Sequence, residues 1–377
     1  MEKQIRNNDY FERKRKGPLK QQKVWLKHRF GWLGIPQLVP YRGFGSYFTK
    51  KAYIIGMLAE DKGLEKPDER QSTLENILSM IKRYSGDQIP DARVSVEFLD
   101  NRQELSTKEN GLLSATFPVS DNNSNKPTQW LNYKISLLDQ FDQDEKPYDA
   151  FGEVLIPGTD AEFGVISDID DTIMVSHSTK TLRKLRLLLT HNSRTRKPFP
   201  GVDAFYRALH IGPDGTGNNP FFYISSSEWN LYDLIDDFCT YNNFPKGVFL
   251  LREIVPGFLN LWKQGGRNHE HKYQKITQIF ETYPKMDFVL VGDNGQHDPD
   301  IYSRIAHRFP GRVKAIYIRT ISKRKNRQMQ KFISEMQKIN VQMVFTPDTI
   351  NAAQHAYNNK LISQSAVGKI ISSSIKN

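Results

Sequence analysis

Apolar and polar residues alternate along this chain in two rhythms, and the change falls near residue 160. Between 41 and 157 the apolar positions come in short runs of period two: Tyr53-Ile54-Ile55-Gly56-Met57-Leu58, Val94-Ser95-Val96-Glu97-Phe98, Leu113-Ser114-Ala115-Thr116-Phe117, Tyr133-Lys134-Ile135-Ser136-Leu137 and Glu153-Val154-Leu155-Ile156. Alternation of this kind, with Gly, Asn and Pro between the runs, predicts half-buried antiparallel strands in a small all-β, sandwich-like domain. One helix interrupts it over 73–84, where Leu74, Ile77, Leu78 and Ile81 form a stripe behind a Ser72 or Thr73 cap. From 161 onward the apolar runs are continuous: 163–167, 221–225, 248–251, 288–291 and 313–318. Strands that are apolar at every position are buried on both faces, and their alternation with helical stretches predicts an α/β fold around a doubly wound parallel sheet. Residues 326–338 read as a helix, 341–345 as an added strand, and 347–363 as a final helix with Pro347 in its first turn. The expected organisation is a lead-in over 1–30, a β domain over 31–158, an α/β domain over 159–345 and a helical C-terminal segment over 346–377.

The first apolar run of the α/β half ends in Ser167-Asp168-Ile169-Asp170-Asp171-Thr172. Open α/β sheets bind ligands at the carboxyl ends of their strands, and carboxylates crowded there repel one another unless a cation offsets them. Asp168 and Asp170, two apart, can face one point as the strand becomes a loop, which suits one to attack phosphorus and the other to move protons. Asp-rich turns also cap helices or hold calcium, so this motif alone leaves both readings open. Farther along, 221–225 ends in the hydroxyl of Ser225, Lys272 opens a helical stretch, and 288–293 runs into Asp293-Asn294-Gly295-Gln296-His297-Asp298. Ser225 lies among three serines, of which Ser226 or Ser227 could merely cap the next helix. Lys272, flanked by His269, Glu270, His271 and Lys275, would on its own be a solvated charge. The pair His269-x-His271 has neither a Cys partner nor a third zinc ligand, so solvated histidines are expected there.

Composition bounds the class. With 377 residues, 38% hydrophobic and 25% charged, the chain has room for two domains with sizeable cores. No run approaches the roughly 20 apolar residues that span a bilayer. Residues 1–29 are charged without an apolar centre, which argues against a secretory signal. The lone Cys239 excludes an intramolecular disulfide, suits a reducing cytoplasm and reads as a buried small hydrophobe. The net charge of +11 is uneven: ten Lys/Arg against three acids over 1–30, and seven Lys/Arg with no acid over 180–197. In the second stretch Leu182, Leu185, Leu188 and Leu189 line one face beside Arg183, Lys184 and Arg186, with Arg194, Arg196 and Lys197 beyond. Such a basic amphipathic helix either lies on an anionic membrane, at about 1 kcal/mol per basic residue, or packs on the sheet with its charges in water. Nucleic acid is a poor fit, since no aromatic-interleaved basic motif, zinc module or helix-turn-helix accompanies the charge.

In order along the chain, Asp168-x-Asp170-x-Thr172, Ser225, Lys272 and Asp293 to Asp298 resemble the four motifs of haloacid-dehalogenase-like phosphatases. Pro198-Phe199-Pro200-Gly201-Val202, Tyr223-Ile224-Ser225-Ser226-Ser227-Glu228-Trp229-Asn230-Leu231-Tyr232 and Gly292-Asp293-Asn294-Gly295-Gln296-His297-Asp298-Pro299 narrow the likeness. They resemble the phosphatidate phosphatase catalytic-domain family of the actin-patch-protein type. Pro40-Tyr41-Arg42-Gly43-Phe44-Gly45 is similar to the tract that opens the preceding domain in bacterial members. The sequence departs from the family pattern at Glu228, where Pro is expected, and at Ser226, where Asn is more usual.

The resemblance implies a Mg²⁺-dependent phosphatase that converts phosphatidate to diacylglycerol through an aspartyl-phosphate; cysteine usage adds a cytoplasmic location, and the basic stretch adds peripheral contact with anionic membrane. It implies Asp168 as nucleophile, Asp170 as general acid and then base, Ser225 as hydrogen-bond donor to a phosphoryl oxygen, and Lys272 as a fixed positive charge. Mg²⁺ would rest on Asp168, the Asp170 carbonyl and Asp293, with Asp298 a further ligand or the holder of a metal-bound water. Trp229 and the basic residues Arg183, Lys184, Arg186, Arg194 and Arg196 are candidates for substrate or lipid contact. The alternatives are a phosphatase of a soluble phosphometabolite or phosphoprotein, and a non-catalytic protein that docks on acidic surfaces.

Overall fold

The alternating runs of the first half become strands, as their period requires. In the computed structural model the described residues are 10, 18–30, 32, 34–61, 63, 88–120, 126–141, 148–169, 198–253, 268–295, 297–321 and 326–376. The helix expected over 73–84, Asp170, and the basic stretch with Arg183, Lys184, Arg186, Arg194 and Arg196 lie outside them. A helix, α1 (Leu19–Arg29), leads into β1 (Pro36–Pro40), β2 (Gly43–Ser46), β3 (Lys51–Glu60), β4 (Arg93–Phe98), β5 (Asn101–Ser106), β6 (Leu112–Pro118), β7 (Gln129–Leu137) and β8 (Asp149–Ile156). Their order is β1-β3-β2-β8-β7-β4-β5, with β6 paired to β3. Alternate residues of five strands, among them Ile54, Val96, Phe117, Ile135 and Val154, meet in one core. The pairing is antiparallel except between β2 and β8, which run parallel, a departure from the all-antiparallel expectation.

The Gly43-Phe44-Gly45 tract has a steric reason. A Cβ on Gly43 would meet the Tyr53 carbonyl at 2.4 Å, and one on Gly45 would meet the Ala52 Cα at 2.8 Å, so β2 fits between β3 and β8 only without side chains there.

The second half alternates strand and helix: β9 (Gly164–Asp168), α2 (Val202–Ile211), β10 (Phe221–Glu228), α3 (Tyr232–Tyr241), β11 (Gly247–Arg252), α4 (Asn268–Thr282), β12 (Phe288–Asp293), α5 (Asp298–Arg308), β13 (Val313–Arg319), α6 (Asn326–Lys338), β14 (Met343–Thr346), α7 (Thr349–Asn358) and α8 (Gln364–Lys376). All neighbours in this sheet are parallel, in the order β11-β10-β9-β12-β13-β14. Counted from β9 this is 3-2-1-4-5-6, the order of a doubly wound sheet. Period-two packing explains the continuous apolar runs. Val165, Tyr223, Val289 and Tyr317 face one core with α2, α3, α7 and α8. Ile166, Phe222, Leu290 and Ile316 face another with α4 and α5.

Where one final helix was expected over 347–363, there are two. Lys360, at φ +55°, turns the chain between α7 and α8, a left-handed geometry that ends helices. Leu361, Ile362, Val367 and Ile370 then join the core over α2. The β domain is packed onto the sheet as well. Tyr41, Met57, Ala59 and Leu112 enter the first core, and Phe44 and Leu155 the second. Arg42 clamps Asp236 of α3 with two bonds of 2.7 and 3.1 Å.

Candidate active site

Connections leave β9 and β12 toward opposite ends of the sheet, so a crevice opens between their carboxyl ends. Asp168 ends β9 and Asp293 ends β12, so the sheet itself brings these two carboxylates side by side. Asp298 follows on the first turn of α5, where the helix N-terminus favours an acid. Lys272 reaches in from α4. Its Nζ donates to Asp168 Oδ1 at 2.8 Å and to Asp298 Oδ1 at 2.9 Å. All four side chains are buried, Asp168 being 1% and Lys272 4% exposed.

Charges taken this far out of water must be paired. Burial works against the lysine's charge, but Asp168 and Asp298, by charge and by hydrogen bond, outweigh it and hold its pKa above that of an ordinary lysine. Asp298 has both oxygens engaged, since Oδ2 accepts the Asp293 amide at 3.2 Å. Asp293 Oδ1 accepts the Gly295 amide at 2.5 Å, and the Asn294 side chain ties the same loop to the Ile321 amide at 2.7 Å. Asp168, Asp293 and Asp298 each offer an oxygen within 4.8 Å of the others, a buried group that could hold a metal ion.

Ser225 stands one residue beyond Ile224, the register partner of Asp168 on β10. Its hydroxyl is buried and accepts the Ser227 amide at 2.9 Å. Behind Asp168, the Ser167 hydroxyl lies 2.7 Å from both the Asp168 carbonyl and the Tyr206 hydroxyl.

Gly292 is where the backbone must pass closest. A Cβ there would lie 2.6 Å from Asp298 Oδ2 and 2.9 Å from the Tyr302 ring. Gly292→Ala is therefore expected to push Asp298 away from Lys272 and to cost about 1–3 kcal/mol. A thermal melt and an activity assay both indistinguishable from the parent would contradict this.

Lys272, expected as a fixed positive charge, is an interior cation and not the solvated charge it would be on its own. Other side chains differ from what the sequence suggests. His271 is half-buried, and its Nε2 has no hydrogen-bond partner among the described residues. Burial, then the neighbouring Lys275 and Arg252, push its pKa down to about 4, so the ring is neutral near pH 7. Trp229 is 3% exposed and stacks on Tyr41 with ring centroids 4.3 Å apart, so its ring packs between the two domains. Glu228, the departure from the family pattern, makes a buried pair with Arg252 at 2.8 Å across the ends of β10 and β11. Arg319 went unnoticed in the sequence. It is the register partner of Asp293 and its guanidinium lies 4.0 Å from the Phe199 ring. Burial lowers its pKa against the opposing pull of Tyr206, Asp348 and Asp293. The only signal was an Arg at the end of an apolar strand.

Residues 163–320 match the family model described as the phosphatidate phosphatase APP1 catalytic domain. The match covers less than half of the chain. Over 161 residues the chain is 35% identical to phosphatidate phosphatase APP1 of Saccharomyces cerevisiae, covering 42% of this chain and 26% of that protein. Over 257 residues it is 24% identical to an uncharacterized protein of Schizosaccharomyces pombe, covering 67% of this chain and 39% of that protein. The chain thus spans from about a quarter to two fifths of the length of these curated relatives. Among solved structures, a carbohydrate acetylesterase from Xanthomonas citri aligns over 90% of this chain and 74% of that one. Its identity to this chain is 7% and the TM-score is 0.28. Asp168, Ser225, Lys272, Asp293 and Asp298 all fall inside the matched segment, whereas the β domain precedes it.

Proposed function

We propose that this protein is a Mg²⁺-dependent phosphatase of phosphomonoesters, with phosphatidate as substrate and diacylglycerol as product. One observation carries the reading: a buried cluster of Asp168, Lys272, Asp298 and Asp293 in the sheet's crevice, inside a segment of a phosphatidate phosphatase family. The strand order and the spacing of these residues support a haloacid-dehalogenase-like assignment.

The donor set fits Mg²⁺. Three carboxylates against one ammonium leave a formal charge of −2 on oxygen-only donors, which suits a hard divalent cation better than zinc or copper. Asp168 and Asp293 would hold it together with the Asp170 carbonyl. Asp298, both of whose oxygens are engaged, would steady the site from behind. Bound there, the ion would neutralise charge on the phosphoryl oxygens.

Phosphoryl transfer asks a protein mainly for alignment and for charge to meet the phosphoryl oxygens. Asp168 attacks phosphorus as the ester bond breaks, giving an aspartyl-phosphate and an alkoxide. Asp170 protonates that alkoxide, then takes a proton from the water that cleaves the acyl phosphate and returns Asp168 with inorganic phosphate. Lys272 holds Asp168 in place and adds a permanent positive charge, and Ser225 donates to a phosphoryl oxygen. No helix among the described residues is long and apolar enough to cross a membrane. The reading is of a cytoplasmic protein that meets its lipid peripherally. A soluble phosphometabolite or phosphoprotein is the runner-up substrate.

Phosphate release should be compared on phosphatidate vesicles, lysophosphatidate and soluble phosphate esters. Phosphatidate should be turned over with Mg²⁺, not in excess chelator, and poorly with calcium, whose larger and looser shell misplaces the nucleophile. Asp293→Ala should raise the Mg²⁺ requirement more than Asp298→Ala. Full activity in chelator would end the metal assignment, and activity on soluble esters alone would move the substrate to the runner-up.

A further inference from the structure

Four large apolar side chains stand in water within a short stretch of chain. Leu26, Phe30, Trp32 and Ile35 are 47, 60, 71 and 63% exposed. The backbone that carries them is tied down. Val24 is buried in the β-domain core and Trp25 packs against it. Lys27 Nζ donates to both carboxylate oxygens of Glu60, at 3.1 and 2.9 Å, and the Gly34 amide donates to the same carboxylate at 3.4 Å. The Phe30 and Trp32 amides close the end of α1 on the Leu26 and Lys27 carbonyls, and the Asp61 amide donates to the Ile35 carbonyl at 2.7 Å. The Phe30 and Trp32 rings stack with centroids 5.2 Å apart. Described residues fixed by these bonds that expose this much apolar surface mark a contact site.

The position of this lip follows from a chain of contacts that starts at the crevice. Arg252, at the carboxyl end of β11, pairs with Glu228 at the carboxyl end of β10. The next residue, Glu253, is bound by Lys108 at 3.2 Å and by Asn110 at 3.4 Å. Gly111 follows, and its carbonyl accepts the Leu58 amide of β3 at 2.9 Å. Two residues on, Glu60 anchors Lys27. Met57 and Ala59 also pack in the same core as Trp229 and Val291. The lip therefore lies on the side of the molecule where the strands of the parallel sheet end.

Charge indicates the partner. The sequence of α1 carries Lys20, Lys23, Lys27 and Arg29 and no acidic residue; Lys27 is paired with Glu60, which leaves the other three to set the helix's positive charge. Stacked aromatics beside lysine and arginine match a bilayer's boundary, where indole rings settle at the headgroups and cations meet anionic lipid. We infer that this lip docks on an anionic phospholipid bilayer and turns the crevice toward it. The inference deepens the proposed function by placing the lipid substrate, but binding can be measured without turnover.

The full chain should sediment with phosphatidylcholine vesicles containing phosphatidylserine and less with phosphatidylcholine alone. Phe30→Ser with Trp32→Ser should weaken that binding about tenfold or more, and Arg29→Glu should weaken it only for the anionic vesicles. Trp32→Phe should retain binding, and its loss of indole should remove quenching by brominated lipid. Turnover of a soluble phosphate ester should be unchanged in all of them. The idea is overturned if the parent ignores vesicles, if the serine variant binds as the parent does, or if soluble turnover falls with binding. It is equally overturned if the serine variant splits a parent dimer in light scattering without altering vesicle binding, which would assign the lip to a second copy. Lip-dependent binding by a protein that hydrolyses no phosphatidate would keep the lip and reject the substrate.

Discussion

Asp168→Asn is expected to stop turnover while leaving the fold standing. The amide has nearly the shape of the carboxylate and its oxygen can still accept the Lys272 hydrogen bond at 2.8 Å, so the packing at the end of β9 is preserved. What it cannot do is attack phosphorus, since an amide oxygen is a poor nucleophile and yields no acyl phosphate. Turnover should fall by at least about 10³-fold. The melting profile should stay close to the parent's, because the variant removes one of three crowded carboxylates while keeping a hydrogen-bond acceptor for the lysine. Asp170→Asn should also cripple the protein, but differently: with a good leaving group the first step no longer needs a proton, so the phosphorylated protein should accumulate. Phosphate release and a trapped-phosphate assay separate the two. An Asp168→Asn protein that turns over at the parent rate would remove Asp168 from the mechanism.

How much of this could be seen in the sequence follows the physics of each element. Runs buried on both faces, such as 288–293, must be apolar throughout, so β9 to β13 could be placed to within a few residues. The acids at their ends were visible because carboxylates seldom follow such strands without a purpose. The strands that escaped notice lack these signatures. β5, at the end of the sheet path, has no buried residue, β2 is half glycine, and β1 is bounded by proline at both ends. A periodicity argument has nothing to grip there.

The misplaced side chains share another cause. Trp229 follows a serine-rich strand end and looked like a ligand contact, but Tyr41, 188 residues away, covers it. Glu228 looked anomalous until its partner Arg252 came into view from the next strand. His271 looked solvated because its helix is polar in sequence, yet its ring is half-buried while Glu270 and Gln274 beside it stay exposed. Each depends on a long-range contact that no local pattern encodes.

Lys272→Met is expected to be among the most destabilising single changes at this site. It leaves Asp168, Asp293 and Asp298 buried within 4.8 Å of one another without the ammonium that pairs two of them. Removing one partner of a buried ion pair typically costs about 3–5 kcal/mol. The sign of the pH dependence follows from the raised lysine pKa. A group whose pKa is higher folded than unfolded contributes fully below its unfolded value, about 10.4 for lysine, and that stability is lost only as pH rises through the higher folded value. From pH 5 to 9 the lysine's contribution in the parent should therefore be constant. In the variant, acidification should relieve the crowded carboxylates by protonating one, so the gap between the two melting temperatures should narrow toward low pH. Mg²⁺ should raise the variant's melting temperature more than the parent's, because the site it enters has gone from a formal charge of −2 to −3 and binding to the folded state adds to stability. Combining Lys272→Met with Asp298→Asn returns the formal charge to −2. The double variant should recover much of the lost stability without recovering activity, and the cycle of single and double variants reads the coupling directly. Were Lys272→Met to melt with the parent across this range, the ammonium would not be offsetting the carboxylates, and the electrostatic account of the site would fall with it.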